Sequence, residues 1–360
     1  MRLLKISSIG FLLLFIFFAC DKKEENAEQL VLKGKCKLAL DVNPAETQNY
    51  DQAWNMALGV GIEEIKLSFD WNQLEKSTGF DMTYIDIANI YYPASNIPVT
   101  IILRPINTNM LTLPQNLATL SFDNPQVINR FKILLDTIHA HLPNLSVNAI
   151  CIGNEISAYL QTDAAKWQQF TSFFTQTKAH VKLLWGNNMN VSTVSMFYGL
   201  LDNTTKSFYH TINNEADFLA VTYYPLNNDF TVKNISEIQP EITNLVNEYP
   251  TKDIYFEECG YPSGLLCNSS EDKQADFVSE IFKAWENHYQ KIKLFDFTFM
   301  TDANPTQVDQ WLIDYGMSGQ TNADKFREYL ATLGLRTYTG NGLDKKGFIR
   351  LKDEAQKRGW

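Results

Sequence analysis

What most constrains this chain is an alternation: eight apolar, β-rich runs are separated by stretches with helical periodicity. The runs are Cys36–Val42, Glu63–Phe69, Ile97–Arg104, Val147–Gly153, Asn190–Met196, Asp217–Tyr223, Asp253–Glu258 and Lys293–Met300. Among the intervening stretches, Val127–His141 repeats Phe131, Leu134, Leu135 and Ile138 along one face, and Ala164–Leu184 repeats Trp167, Phe170, Phe173 and Phe174. Pro240–Tyr249, Lys273–Tyr289 and Ala323–Leu333 read as helices in the same way. Strands that alternate with helices demand a parallel sheet with right-handed crossovers, and eight such units close on themselves. The predicted fold class is therefore α/β, a single (β/α)8 TIM barrel. A doubly wound open sheet competes with it, but no G-x-G-x-x-G follows the first run to favour that fold.

The N-terminus is a separate element. Arg2 and Lys5 precede an apolar run from Ile9 to Ala19 that stops at Cys20, the pattern of a secretory signal and too short for a comfortable membrane span. Phe17-Phe18-Ala19-Cys20 resembles a bacterial lipobox, which implies a signal peptide over residues 1–19 and Cys20 as the lipidated first residue; an ordinary signal peptide is the alternative. Residues 20–33 open with Asp21-Lys22-Lys23-Glu24-Glu25-Asn26, too polar to pack, and form a tether. The expected location is the outer membrane, on the cell-surface or periplasmic side, through the Cys20 lipid. Residues 34–360 form one domain, expected to act as a monomer, with no linker or repeat to divide it. A net charge of -10 without Lys/Arg clusters argues against nucleic acid, whereas a neutral glycan is indifferent to it. Of the remaining cysteines, Cys259 and Cys267 are near enough in sequence to bridge or to be two buried thiols, and Cys36 and Cys151 read as core residues.

In a barrel of this kind the chemistry belongs at the C-terminal ends of the strands. Here those ends deliver Asp41 and Asn43; Ser68, Asp70 and Trp71; Arg104 and Asn107; Asn154 and Glu155; Ser192, Ser195 and Met196, with Tyr198 just beyond; Tyr223 and Tyr224; Glu258; and Phe299, Thr301 and Asp302. A scaffold gains nothing from so many polar groups at one rim, because each must be hydrogen-bonded or costs roughly 1–3 kcal/mol. Two strands end in carboxylates, Ile150-Cys151-Ile152-Gly153-Asn154-Glu155 and Ile254-Tyr255-Phe256-Glu257-Glu258. Such a pair at one rim is the minimum equipment for hydrolysing a glycosidic bond by a general acid and a nucleophile.

Several of these residues have a plain structural alternative. Asp70 and Trp71 serve equally as a helix cap and a core ring. Tyr224, Tyr261 and Trp311 are sugar-stacking platforms or packing. Arg104 reads as substrate-binding, since an unpaired guanidinium in a barrel mouth would be costly. Glu257 rivals Glu258, and period-two alternation decides between them: with Ile254 and Phe256 facing the barrel, Glu258 faces inward and Glu257 faces the helices. None of the five histidines falls at a strand end, and H-E-x-x-H, paired C-x-x-C and G-x-S-x-G are all missing. No metal and no organic cofactor is called for.

Gly153-Asn154-Glu155 and Glu258-Cys259-Gly260-Tyr261-Pro262-Ser263 resemble the strand-four and strand-seven motifs of the clan A glycoside hydrolases. The second is closest to a string of family 17 β-1,3-glucanases and is similar to one in family 53 galactanases, with Cys259 where those carry Ser or Thr. Asp217–Pro225 and Phe69–Glu75 echo the same families. The resemblance implies that Glu155 is the general acid/base, Asn154 a hydrogen-bond partner of a sugar hydroxyl, Glu258 the nucleophile and Tyr223 its orienting donor. It implies retention of configuration if the carboxyl groups stand about 5–5.5 Å apart. The expected activity is endo-hydrolysis of a β-linked polysaccharide or oligosaccharide; the alternative is a non-catalytic glycan-binding surface lipoprotein on the same scaffold.

Overall fold

Alternation within each strand builds the wall of the molecule, one set of side chains meeting the helices and the other meeting across the interior. The structure is a computed structural model that describes residues 30–360; the signal peptide expected over 1–19, the lipidation expected at Cys20 and the first part of the tether lie outside the described residues. Val31–Trp360 forms one compact unit. Its wall strands are β1 (Lys37–Leu40), β2 (Ile65–Asp70), β3 (Val99–Asn107), β4 (Val147–Asn154), β5 (Asn190–Ser192 continued by Val194–Met196), β6 (Leu219–Tyr223), β7 (Ile254–Cys259) and β8 (Ile292–Phe297). All wall pairs are parallel, in the order β1-β8-β7-β6-β5 and β2-β3-β4-β5. The two halves of β5 pair with β4 and β6 respectively, and a parallel bridge between Ala39 and Glu64 closes the other seam. The chain is a single (β/α)8 barrel.

One helix follows each strand: α1 (Tyr50–Val60), α2 (Thr83–Tyr91), α3 (Pro125–Ala140), α4 (Ala164–Trp185), α5 (Lys206–Glu215), α6 (Ile238–Glu248), α7 (Glu271–Asn287) and α8 (Lys346–Arg358). Their starts carry local signals, such as the Asn49/Gln52 capping box of α1, Asn124 followed by Pro125 for α3, and Asp163 accepting from the Ala165 and Lys166 amides for α4. The helix expected over Ala323–Leu333 forms over Ala323–Ala331, but it does not belong to the wall. It sits with a second helix, Pro305–Asp314, in the long β8–α8 connection, while the eighth wall helix closes the chain at Lys346–Arg358.

The largest core lies between strands and helices, where Leu38, Leu40, Ile101, Leu103, Ile150 and Phe256 meet Phe131, Phe170, Phe173 and Phe282. A small apolar plug of Ile102, Ala149, Cys151, Val194, Phe218 and Ala220 fills the middle of the barrel, with Tyr255 against it. A third cluster roofs one rim: Cys267, Ala303, Val308, Phe326, Tyr329, Leu330 and Leu333, fringed by Tyr224, Phe299, Trp311 and Tyr315. Cys259 and Cys267 are both buried free thiols. Among the described residues no helix is long and apolar enough to cross a membrane.

Candidate active site

Glu155 is placed by a break in backbone regularity at the end of β4. Gly153 has φ 88°, and a Cβ there would come within 2.7 Å of Ile156 and 2.9 Å of Phe170, so only glycine fits. Glu155 itself has φ 49°, a left-handed conformation that costs a non-glycine residue on the order of 1–2 kcal/mol. Its amide is tied to the Val194 carbonyl on β5 (2.9 Å), and its carboxylate is held at both oxygens. Thr222 on β6 donates to Oε1 (2.7 Å), and Thr108, at the end of β3, donates to Oε2 (2.8 Å). Burial, and after it the charge of Glu258, push the Glu155 carboxyl above its ordinary value, against the pull of those hydroxyls and Lys66. A carboxyl group whose pKa is raised in this way moves toward the property that a general acid needs.

Glu258 reaches the same rim from β7, but not for the reason its sequence suggests. Phe256 faces the helices, stacked on Phe295 and edge-on to Tyr223, whereas Tyr255 packs against Phe218 in the barrel interior. The expected alternation is therefore inverted: Glu257, the residue assigned to the helical side, is fully buried and faces the interior charges. A β-bulge then shifts the register, so that Val221 pairs with Phe256 but Thr222 with Glu258. The skipped residue is Glu257, and the bulge re-aims Glu258 into the mouth.

The donors around Glu258 are Tyr224, whose hydroxyl bonds Oε2 at 2.6 Å, and Lys66, whose ammonium lies 3.5 Å from Oε1. Lys66 points inward from β2 and is shared. It lies 3.3 Å from Asp41 and 3.5 Å from Asp296, and donates to the Glu257 carbonyl at 2.9 Å. Burial alone would lower its pKa, but Asp296, Asp41, Glu258 and Glu257 together lift it well above the ordinary lysine value. Burial pushes Asp296 and Glu257 strongly upward in turn; Lys66 is the cation facing Asp296, and the Glu257 carboxyl has no hydrogen-bond partner. Among the described residues no group of His, Cys, Asp and Glu is arranged to hold a metal ion.

The other sequence candidates divide into two groups. Asn154 is nearly buried beside Asn107 (3.5 Å), with its Oδ1 unpartnered, and Arg104 pairs with Asp70 at 2.7 Å on the adjoining strand ends. These residues share the rim with the carboxylates. Tyr223 does not: it faces outward and donates to Glu241 on α6 (2.7 Å), because the residue after an inward Thr222 must point to the helices. The donor to Glu258 expected at Tyr223 is Tyr224, which follows the last strand residue and turns back over the rim. Trp71 is 1% exposed and bonds Glu75, and Tyr261 is 2% exposed and donates to the Lys233 carbonyl, so neither can stack on a sugar. Trp311 is half-buried, stacked on Phe299 at 5.8 Å in the roof. Lys66, Thr108, Thr222 and Tyr315 were not singled out from the sequence. Of these only Lys66 left a trace, as the one cation in the inward register of Ile65-Lys66-Leu67-Ser68-Phe69.

No protein-family model matches the sequence, and no curated protein matches it. Solved structures do. An exo-β-1,4-mannosidase from Opitutaceae bacterium strain TAV5 superposes with a TM-score of 0.65 at 15% identity over 90% of this chain; the chain spans 59% of that mannosidase. A fungal β-1,4-galactanase gives 0.60 at 13% identity, covering 89% of this chain and 99% of its own. Xylanase 10B from Thermotoga maritima gives 0.63 at 12%, covering 91% and 96%. At such identities the likeness is one of fold.

Proposed function

We propose that this chain is a glycoside hydrolase that cleaves β-linked glycans with retention of configuration, using Glu155 as general acid/base and Glu258 as nucleophile. The observation that carries the reading is the approach of two carboxyl groups from the ends of β4 and β7 at one rim, where burial and the charge of Glu258 raise the proton affinity of Glu155. In the first step the Glu155 proton passes to the glycosidic oxygen as that C–O bond breaks, and Glu258 forms an ester to the anomeric carbon. In the second, Glu155 takes a proton from water, whose oxygen displaces Glu258. Tyr224 and Lys66 supply donors to Glu258, while Asn154, Asp70 and Arg104 are offered to sugar hydroxyls. Likeness to proteins named as a mannosidase, a galactanase and a xylanase supports a β-1,4-linked substrate.

We also propose anchorage to the outer membrane through a lipid on Cys20, with the barrel acting as a monomer. Palmitate labelling of the full chain, lost in Cys20→Ser, tests the anchor. A binding-only lipoprotein is the second reading, and the contact between Lys66 and Glu258 favours it, since a carboxylate engaged by an ammonium is less free to attack. Reducing-sugar release from β-glucans, galactans, mannans and xylans separates the two. The hydrolase reading expects release that falls on the order of 10²–10⁴-fold in both Glu155→Gln and Glu258→Gln. Glycan binding without release would establish the binder, and activity that survives Glu258→Gln would move the nucleophile elsewhere.

A further inference from the structure

Endo action, the expected mode, calls for an open cleft, which aromatic residues spread over several loops would line. The structure gathers them instead. Trp71 and Tyr261 are core residues, and Tyr224 and Trp311 belong to one roof over the rim. That roof is fastened across the mouth. β3 runs past the wall and turns back through Met110–Leu111 as a hairpin, pairing Ile106 with Leu111 and Asn107 with Met110, so that Thr108 and Asn109 stand above the rim at its tip. The Asn109 side-chain amide donates to the Tyr315 carbonyl at 3.2 Å, joining that tip to the β8–α8 connection across 206 residues of sequence.

Tyr315 sits over the chemistry. Its hydroxyl is pushed up to about 12, mainly by burial and then by the charges of Glu155 and Glu258, and Thr108 beside it donates to Glu155. Its ring meets Phe326 edge-on at 5.8 Å; Phe326 packs on Tyr329 at 6.1 Å; Tyr329 meets Tyr224 at 5.8 Å; and Tyr224 donates to Glu258. One continuous run of contacts therefore leads from the hairpin tip, where Thr108 holds Glu155, to Glu258. An internal segment of a polymer needs room on both sides of the scissile bond, and a bridge tied across the mouth works against that.

We propose that the site is a blind-ended pocket that takes the end of a β-linked chain and releases short saccharides, with Tyr315 and its bridge to Asn109 as the stop that sets specificity. This rests on the hydrolase reading above. The test uses the full chain on soluble β-1,4-galactan, β-1,4-mannan, β-1,4-xylan and β-1,3-glucan, following product length and viscosity loss per reducing end, with 4-nitrophenyl β-glycosides of the same sugars alongside. The expected wild-type result is mono- or disaccharide from the first time points with viscosity nearly constant. Tyr315→Ala, which removes the ring, and the milder Asn109→Ala, which removes the donor to the carbonyl of residue 315, should add longer products and raise viscosity loss per reducing end severalfold, while Tyr315→Phe, which keeps the ring, should restore the wild-type pattern. A ladder of long products with early viscosity collapse in the wild type overturns the proposal, as does an unchanged product pattern in both Ala variants. Silence of the folded wild type on every polymer and glycoside overturns the hydrolase reading itself and takes this inference with it.

Discussion

The barrel wall and the roof above it are built from the same kinds of residue and do different work. In the wall, Phe131, Phe170, Phe173 and Phe174 are wholly buried, and the helix–strand layer repeats around the ring. In the roof, Phe326 and Tyr329 are only just covered, and Phe299, Trp311 and Tyr315 stay half-buried. The roof is held to the wall by polar pins: the Lys345 ammonium reaches Asp302 (2.7 Å), the Gly334 carbonyl (2.9 Å) and Ser263 (3.0 Å). The contrast teaches that fixing two carboxylates and choosing what reaches them are separate tasks. A deep apolar layer does the first, and a thin aromatic one does the second.

The sharpest attack on the wall is Lys66→Met. It leaves Asp41, Asp296 and Glu258 without their shared cation and should cost about 3–5 kcal/mol at neutral pH, read by urea unfolding. Burial already raises the folded-state pKa of Asp41 and Asp296, so as pH falls the folded state takes up protons before the unfolded one does. The deficit should therefore shrink as pH falls toward the ordinary carboxylate range; a deficit that grows in acid would mean that Lys66 is not the neutralising group.

The next comparison sets Phe131→Ala against Phe326→Ala. The wall substitution should cost about 3–5 kcal/mol of global stability, and the roof substitution about 2 kcal/mol, with the larger loss of activity falling on the roof variant. Equal unfolding costs would show that wall and roof are one energetic unit. A smaller effect belongs to Thr222→Val. The Thr222 hydroxyl bonds the charged form of Glu155 and so holds its pKa down against burial. Without that donor the acid keeps its proton to higher pH, so the alkaline limb of kcat/KM should move upward while its maximum falls about tenfold. A downward shift of that limb would remove Glu155 from the acid role. Smallest is Tyr261→Phe, expected to cost about 1 kcal/mol and to leave KM unchanged, because its hydroxyl serves the Lys233 carbonyl and not a sugar.

Glu155 was legible because its strand, its glycine and its rim position are all local signals. Glu258 was legible in position but not in the reason for it: the alternation argument aimed it into the mouth from an inverted register, and a bulge at Glu257 made up the difference. Tyr223 and Tyr224 were exchanged because a motif names neighbours while only the strand's pleat decides which of them looks into the barrel. Thr108, Asn109 and Tyr315 could not be found, since what joins them is a hairpin tip meeting a loop 206 residues away.

By itself the sequence determined the number and order of the βα units, and with them the rim to which strand-end residues belong, because a period-two run flanked by helical periods has few parallel solutions. Tertiary structure decided the rest. Which of two adjacent glutamates enters the mouth depends on a bulge set by the register of a neighbouring strand. Whether an aromatic ring stacks on substrate or on the core depends on what covers it, and that covering comes from segments far away in the chain, where no local pattern records it.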